Sequence, residues 1–171
     1  MVKELLSSDY KTLSIYALPD TADELISFSD VEPTVITEIQ LQKISNLETP
    51  NKVLAVAKIP KVGITNPDQL KDKLSLALDT INDPGNLGTI IRTAAWFGIE
   101  NIICSENTVD AWNPKTVQAT MGALFRVNVS YADLKRIVED LKSNSVPVFA
   151  TTLDGKNIYK TELTENGLIV I

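Results

Sequence analysis

A chain of 171 residues, 44% hydrophobic and 22% charged, holds enough apolar content for a folded core, which sets aside disordered and fibrous classes. Its length allows one domain or two small ones. A formal charge of −6 is unfavourable for nucleic-acid binding unless a local basic patch offsets it, and the absence of histidine removes the usual general base and any plausible zinc constellation.

The apolar runs are far shorter than the roughly 20 residues that span a bilayer. The start, MVKELLSSDYK, lacks the apolar core of a secretory signal. The expectation is a cytoplasmic chain with no membrane partner and no metal. From the amino end, periodicity predicts helix over 2–7, strand over 13–17, helix over 21–28, a short strand at 35–36, helix over 38–45 and strand over 53–57. These make a small three-layer α/β unit over 1–60. Thr21 with Glu24, and Thr37 with Gln40, have capping-box spacing at two helix starts. The stretch IPKVGITNPDQLKDK, with prolines, a glycine and no sustained period, predicts a linker over 61–73.

Beyond the linker the pattern becomes strand over 74–79, helix over 86–97 ended by Gly98, and strand over 102–104, a βαβ unit with a parallel pair. Cys104, in NIICS, reads as a small apolar residue within that strand. Asn113 is a good N-cap and Pro114 is preset for a first helical position, so a helix is expected from 114 toward 121, stopping near Gly122. Strand over 125–129, helix over 132–142, and strands over 146–151 and 168–171 follow. Lys135, Arg136, Glu139 and Asp140 have the spacing of a solvated helix face. The whole predicts a mostly parallel α/β sheet over 74–171 whose last strand, GLIVI, belongs in the sheet core.

Ligands of open α/β sheets bind beyond the carboxyl ends of the strands, which directs attention to the loop after Asp79. It reads Thr80-Ile81-Asn82-Asp83-Pro84-Gly85-Asn86-Leu87-Gly88. Pro84 and Gly85 make a turn, and Gly88 removes a side chain where another backbone or a phosphate can approach. If Leu87, Ile91, Ala94 and Gly98 face the sheet, the opposite side presents Thr89, Arg92, Thr93 and Trp96. An arginine there can clamp phosphate or stabilise a developing alkoxide, or it can form a surface ion pair with Asp83. Position alone leaves both open.

The pattern NxGxxxRTAxxxG, carried by Asn86, Gly88, Arg92, Thr93, Ala94 and Gly98 after Asp83-Pro84-Gly85, resembles the first motif of the SpoU/TrmH family of RNA ribose 2′-O-methyltransferases, of SPOUT type. The likeness extends to Asn113-Pro114-Lys115, to Ala119-Thr120-Met121-Gly122-Ala123, and to 150–155, the edge of the family's cofactor pocket. The first sixty residues resemble the family's accessory RNA-binding domain, with Asn51-Lys52 where members often have Gln-Gly.

This resemblance implies an S-adenosylmethionine-dependent enzyme that methylates a ribose 2′-hydroxyl of rRNA or tRNA. It implies Arg92 and Asn86 as catalytic residues, and Asn86, Gly88, Arg92, Lys115 and Lys52 as RNA-binding residues. Thr151, Leu153 and Gly155 would bind S-adenosylmethionine. Because guanidinium stays protonated, Arg92 suits phosphate orientation and alkoxide stabilisation better than proton abstraction. The family continues past the strand that corresponds to 167–171 into a GNEG-like loop and a further segment, which form its trefoil knot, complete the cofactor site and supply much of its homodimer contact. The expectation is therefore that 74–171 is the amino-terminal part of the methyltransferase domain, and that this chain is an inactive fragment binding S-adenosylmethionine poorly or not at all. Two rivals remain at this point. A dehydrogenase-like nucleotide-binding domain shares the alternation but lacks GxGxxG after 74–79. A non-catalytic RNA- or ribosome-binding module needs no further segment.

Overall fold

The computed structural model describes residues 1–60 and 70–171. The chain forms two compact units, Met1–Lys61 and Val62–Ile171. The linker expected over 61–73 lies outside the described residues as far as 69. From Leu70 the chain already belongs to the second unit, because Leu70 is buried in its core.

In the first unit, β1 (Thr12–Ala17) pairs in parallel with β2 (Thr34–Val35) and antiparallel with β3 (Val53–Ala57), giving the order β2-β1-β3. Helices α1 (Val2–Leu6), α2 (Pro19–Leu25) and α3 (Glu38–Ile44) complete it. Ile15, Ala17, Ala22 and Leu25 form its core. The capping box expected at Thr37 is present, with Gln40 N–H donating to Thr37 Oγ1 at 3.3 Å and Thr37 N–H donating to Gln40 Oε1 at 2.8 Å. The one expected at Thr21 is not. Pro19 occupies the first turn of α2 and starts the helix earlier, with Leu18 as an N-cap that makes no side-chain bond. Proline's fixed φ outweighed the Thr–Glu spacing.

The second unit carries strands β4 (Leu74–Leu78), β5 (Asn101–Cys104), β6 (Asn128–Tyr131), β7 (Val148–Ala150) and β8 (Gly167–Val170) in one sheet of order β6-β5-β4-β8-β7. Every pairing in it is parallel. Side chains alternate between two apolar layers, as strand geometry demands. Leu76, Leu78, Ile102 and Cys104 join one core with α4 (Pro84–Trp96), while Ala77, Ile103 and Leu168 join the other with α6 (Leu134–Ser143). Burial on both faces explains why β4, LSLAL, is apolar at every position but Ser75, which is itself buried.

The strand expected over 125–129 begins later. Residues Ala123–Phe125 form a 3-10 turn after α5 (Pro114–Thr120), and β6 starts at Asn128. The left-handed pair Met121 (φ 52°) and Gly122 (φ 95°) turns the chain first. The last strand lies where its composition placed it: β8 sits between β4 and β7, and Leu168 is fully buried.

Candidate active site

Strand β4 has β5 on one side and β8 on the other, and open α/β sheets hold ligands beyond the carboxyl ends of their strands; there Asp79, Ser105, Ala132 and Asp133 line an open cavity. The loop there is closely tied. Asp79 N–H donates to the Ile171 carbonyl at 2.9 Å. Thr80 adopts φ 58°, a left-handed conformation that costs a β-branched residue about 1–3 kcal/mol. Its N–H donates to Ser105 Oγ at 2.8 Å, and Ile81 N–H donates to Thr108 Oγ1 at 3.3 Å.

Asp83 is the N-cap of α4, accepting from Asn86 N–H at 2.7 Å, and Pro84 follows at the first helical position. The carboxylate thus occupies an amide that a phosphate would otherwise use. It is not the partner of Arg92. The guanidinium of Arg92 is exposed, and its Nη1 donates to Met121 Sδ at 3.0 Å.

The helix faces fall as the spacing predicts. Leu87, Gly88, Ile91 and Ala94 are buried, while Asn86, Thr89, Arg92, Thr93 and Trp96 are exposed. Gly98 does not pack inward; it is exposed at φ 73°, where it ends the helix. Asn86 and Arg92 lie six residues apart in sequence, which is roughly 9 Å along the axis. Thr89 and Thr93 turn their hydroxyls back onto the helix, donating to the Gly85 and Thr89 carbonyls at 2.8 and 2.9 Å.

Gly88, expected to contact RNA, has a packing role in the structure. It is buried against α5, and a Cβ there would stand 2.5 Å from Ala119 Cβ and 2.9 Å from the Thr116 carbonyl oxygen. Helix packing at this close approach requires the glycine. Lys115 is exposed near the start of α5, where Asn113 Oδ1 accepts its backbone N–H at 2.9 Å. Lys52 belongs to the first unit and is exposed at the amino end of β3.

After β7, Thr151 is tied to β8, with both its N–H and its hydroxyl donating to the Val170 carbonyl at 3.0 and 3.1 Å. Leu153 beyond it is wholly exposed, and Gly155 N–H closes a turn onto the Thr152 carbonyl at 3.2 Å. The loop holds outward an uncovered apolar side chain and accessible backbone. Cys104 is fully buried, and burial pushes its thiol up to about 12. Burial likewise raises Tyr131 to about 12. Neither is poised as a base at neutral pH. Sequence reasoning missed Ser105 and Thr108, and the contact of Met121 with Arg92, because these depend on long-range contacts that no local pattern signals.

The SpoU rRNA Methylase family model matches residues 73–171. The chain belongs to that family. Over 160 residues it is 28% identical to the 23S rRNA (guanosine(2553)-2′-O)-methyltransferase RlmP of Bacillus subtilis, covering 94% of this chain and 62% of RlmP. It thus spans about three fifths of that relative. It is 46% identical over 89 residues to the mitochondrial rRNA methyltransferase 3 of Xenopus laevis, covering 50% of this chain and 21% of that protein. Among solved structures, a TrmH-family protein of Porphyromonas gingivalis described as a putative RNA methyltransferase superposes with a TM-score of 0.88 at 30% identity, covering 99% of this chain and 67% of the other. The AdoMet complex of AviRb from Streptomyces viridochromogenes, at 22% identity and a TM-score of 0.80 over 99% of this chain and 69% of the other, shares the fold.

Proposed function

We propose that this chain contributes the RNA-facing part of an S-adenosylmethionine-dependent methyltransferase acting on ribose 2′-hydroxyls of rRNA or tRNA. The observation that carries the reading is the solvent-exposed side of α4, where Asn86 and Arg92 are both uncovered within the segment matched by the family. RNA methyltransferases among the relatives support the substrate class.

The residues after β7 suit the cofactor. Leu153 offers an apolar surface with nothing covering it, of the kind an adenine would cover. Thr151 anchors the loop and Gly155 closes its turn. S-adenosylmethionine, when bound, supplies an electrophilic methyl group on sulfonium. In this reading the Arg92 guanidinium, a fork of N–H donors, binds an RNA phosphate and stabilises negative charge growing on the 2′-oxygen. Asn86, exposed one turn into α4, orients the ribose. Lys115 and Lys52 are exposed cations available to phosphates, which makes RNA binding weak and steeply salt dependent in so acidic a chain. The working form in this reading is a homodimer, supported by Trp96 and Phe97, which are 86% and 74% exposed at the end of α4. Its compartment is the cytoplasm. No helix among the described residues is long and apolar enough to cross a membrane.

The test is a map of ribose 2′-O-methylation in rRNA and tRNA from cells with and without the gene. Loss of a methylated nucleotide, restored by the wild-type gene but not by Arg92→Ala, supports the reading. An unchanged map, with RNA still bound by the protein, favours the non-catalytic RNA-binding module.

A further inference from the structure

The hydroxyls of Ser105 and Thr108 make a closed chain across the loop that leads into α4. Thr80 N–H donates to Ser105 Oγ at 2.8 Å, and the two hydroxyl oxygens lie 3.1 Å apart. Thr108 Oγ1 receives Ile81 N–H at 3.3 Å and stands 3.3 Å from the Leu78 carbonyl. One assignment of protons satisfies every group. The Ser105 hydroxyl donates to Thr108, the Thr108 hydroxyl donates to Leu78, and each oxygen accepts a loop amide. Thr108 is 6% exposed, so its bond to the Leu78 carbonyl is shielded from competing water.

Backbone bonds frame the pair. Ser105 N–H donates to the Leu78 carbonyl and Val109 N–H to the Ile81 carbonyl, both at 2.9 Å. On the far side, the Tyr131 hydroxyl accepts Ala111 N–H and donates to the Val109 carbonyl, both at 2.7 Å. The segment 105–111 is thereby held to β6 while its hydroxyls hold 78–81. The residue at the centre is Thr80, whose φ of 58° does not persist without such restraint. Two residues past Ile81 stands Asp83, whose carboxylate fixes the Asn86 amide.

We propose that Ser105 and Thr108 are positioning residues, a hydroxyl strap that holds Thr80 in its left-handed conformation and thereby sets Asp83 and Asn86 at the start of α4. The consequence for methyl transfer rests on the function proposed above; the consequence for the loop does not. Both can be read on the full chain. Thr108→Val keeps the shape and removes the hydroxyl, Thr108→Ser keeps the hydroxyl, and Thr80→Gly adopts φ 58° without strain.

Amide exchange by NMR should accelerate at least tenfold at Thr80 and Ile81 in Thr108→Val, and the Asn86 side-chain amide resonances should move. Amides of β5 should keep their wild-type rates. Thr108→Ser should restore both signals, and Thr80→Gly should restore the Asn86 resonances in the Thr108→Val background. Unchanged exchange at Thr80 and Ile81 overturns the strap, as does a uniform rise across the unit that Thr80→Gly leaves in place. If Thr108→Val itself does not fold, the same comparison is made with Ser105→Ala. In complemented cells, methylation should fall with Thr108→Val and return with Thr108→Ser. If the wild-type gene restores no methylation, the catalytic reading fails alone and the exchange data still decide the strap.

Discussion

Two loops flank β8 at the carboxyl side of the sheet, and they are built in opposite ways. The loop after β4 spends its amides on distant partners: Ile171 for Asp79, Ser105 for Thr80, Thr108 for Ile81. The loop after β7 is tied to the sheet at Thr151 and, at its far end, by the Asn166 side-chain amide, which donates to the Lys71 carbonyl at 2.7 Å; between them Gly155 and Lys160 bond to carbonyls a few residues away. Leu153 and Tyr159 there are almost wholly exposed. Under the proposed function, a site that holds a reacting ribose would gain from rigidity already present before binding. A loop with an uncovered leucine gains its order when something covers it.

The strongest way to break that contrast is Arg92→Ala, on the helix that the tied loop feeds. Removing one donor aimed at developing charge costs about 10²–10³ in rate, while an exposed change shifts stability by within about 0.5 kcal/mol. Methylation should collapse with the thermal midpoint unmoved; a large fall in the midpoint would make Arg92 a structural residue instead.

Gly88→Ala probes the buried side of the same helix. Its new Cβ would lie 2.5 Å from Ala119 Cβ, and such overpacking costs about 1–3 kcal/mol. The midpoint should fall by several degrees, on the order of 4–8 °C per kcal/mol in a domain of this size. A stable Gly88→Ala with reduced RNA affinity would return the residue to the RNA-contact role.

Leu153→Ser tests the open loop. The side chain covers nothing, so unfolding midpoints should match wild type. Binding of S-adenosylmethionine, measured by calorimetry on the protein in its active form, should weaken roughly tenfold if adenine covers that leucine. Equal affinity would place the cofactor elsewhere.

The smallest effect is one of pH. Cys104 is raised from 9.0 to about 12 and Tyr131 from 10.0 to about 12. In both cases the folded state resists ionisation, so their contribution to stability is full below about pH 9 and is lost as pH rises toward 12. Urea unfolding from pH 8 to 11 should show that decline, and Cys104→Ala should flatten its first part. A native thiol that reacts with alkylating reagents at the rate of a free one would contradict its burial.

The sequence alone determined most of the architecture, because local physics carries it. The run LSLAL announces a strand, GLIVI announces one in the sheet core, Asn113-Pro114 announces a helix start, and the period of Leu87, Ile91 and Ala94 announces which side of α4 packs. The pattern from Asn86 to Gly98 also announced the family. Where the local signal was divided, it misled: Pro19 outbid Thr21 for the start of α2, and the left-handed turn at Met121 and Gly122 delayed β6. The tertiary structure decided what each polar group and each glycine is for. Gly88 packs against α5, Asp83 caps the Asn86 amide and does not pair with Arg92, Arg92 meets Met121, and the Ser105 and Thr108 hydroxyls accept the Thr80 and Ile81 amides. Those partners lie from a few to about thirty residues away. Hydrogen bonds and close packing depend on distances in space, and a linear pattern records a distance only when the chain between two residues is regular.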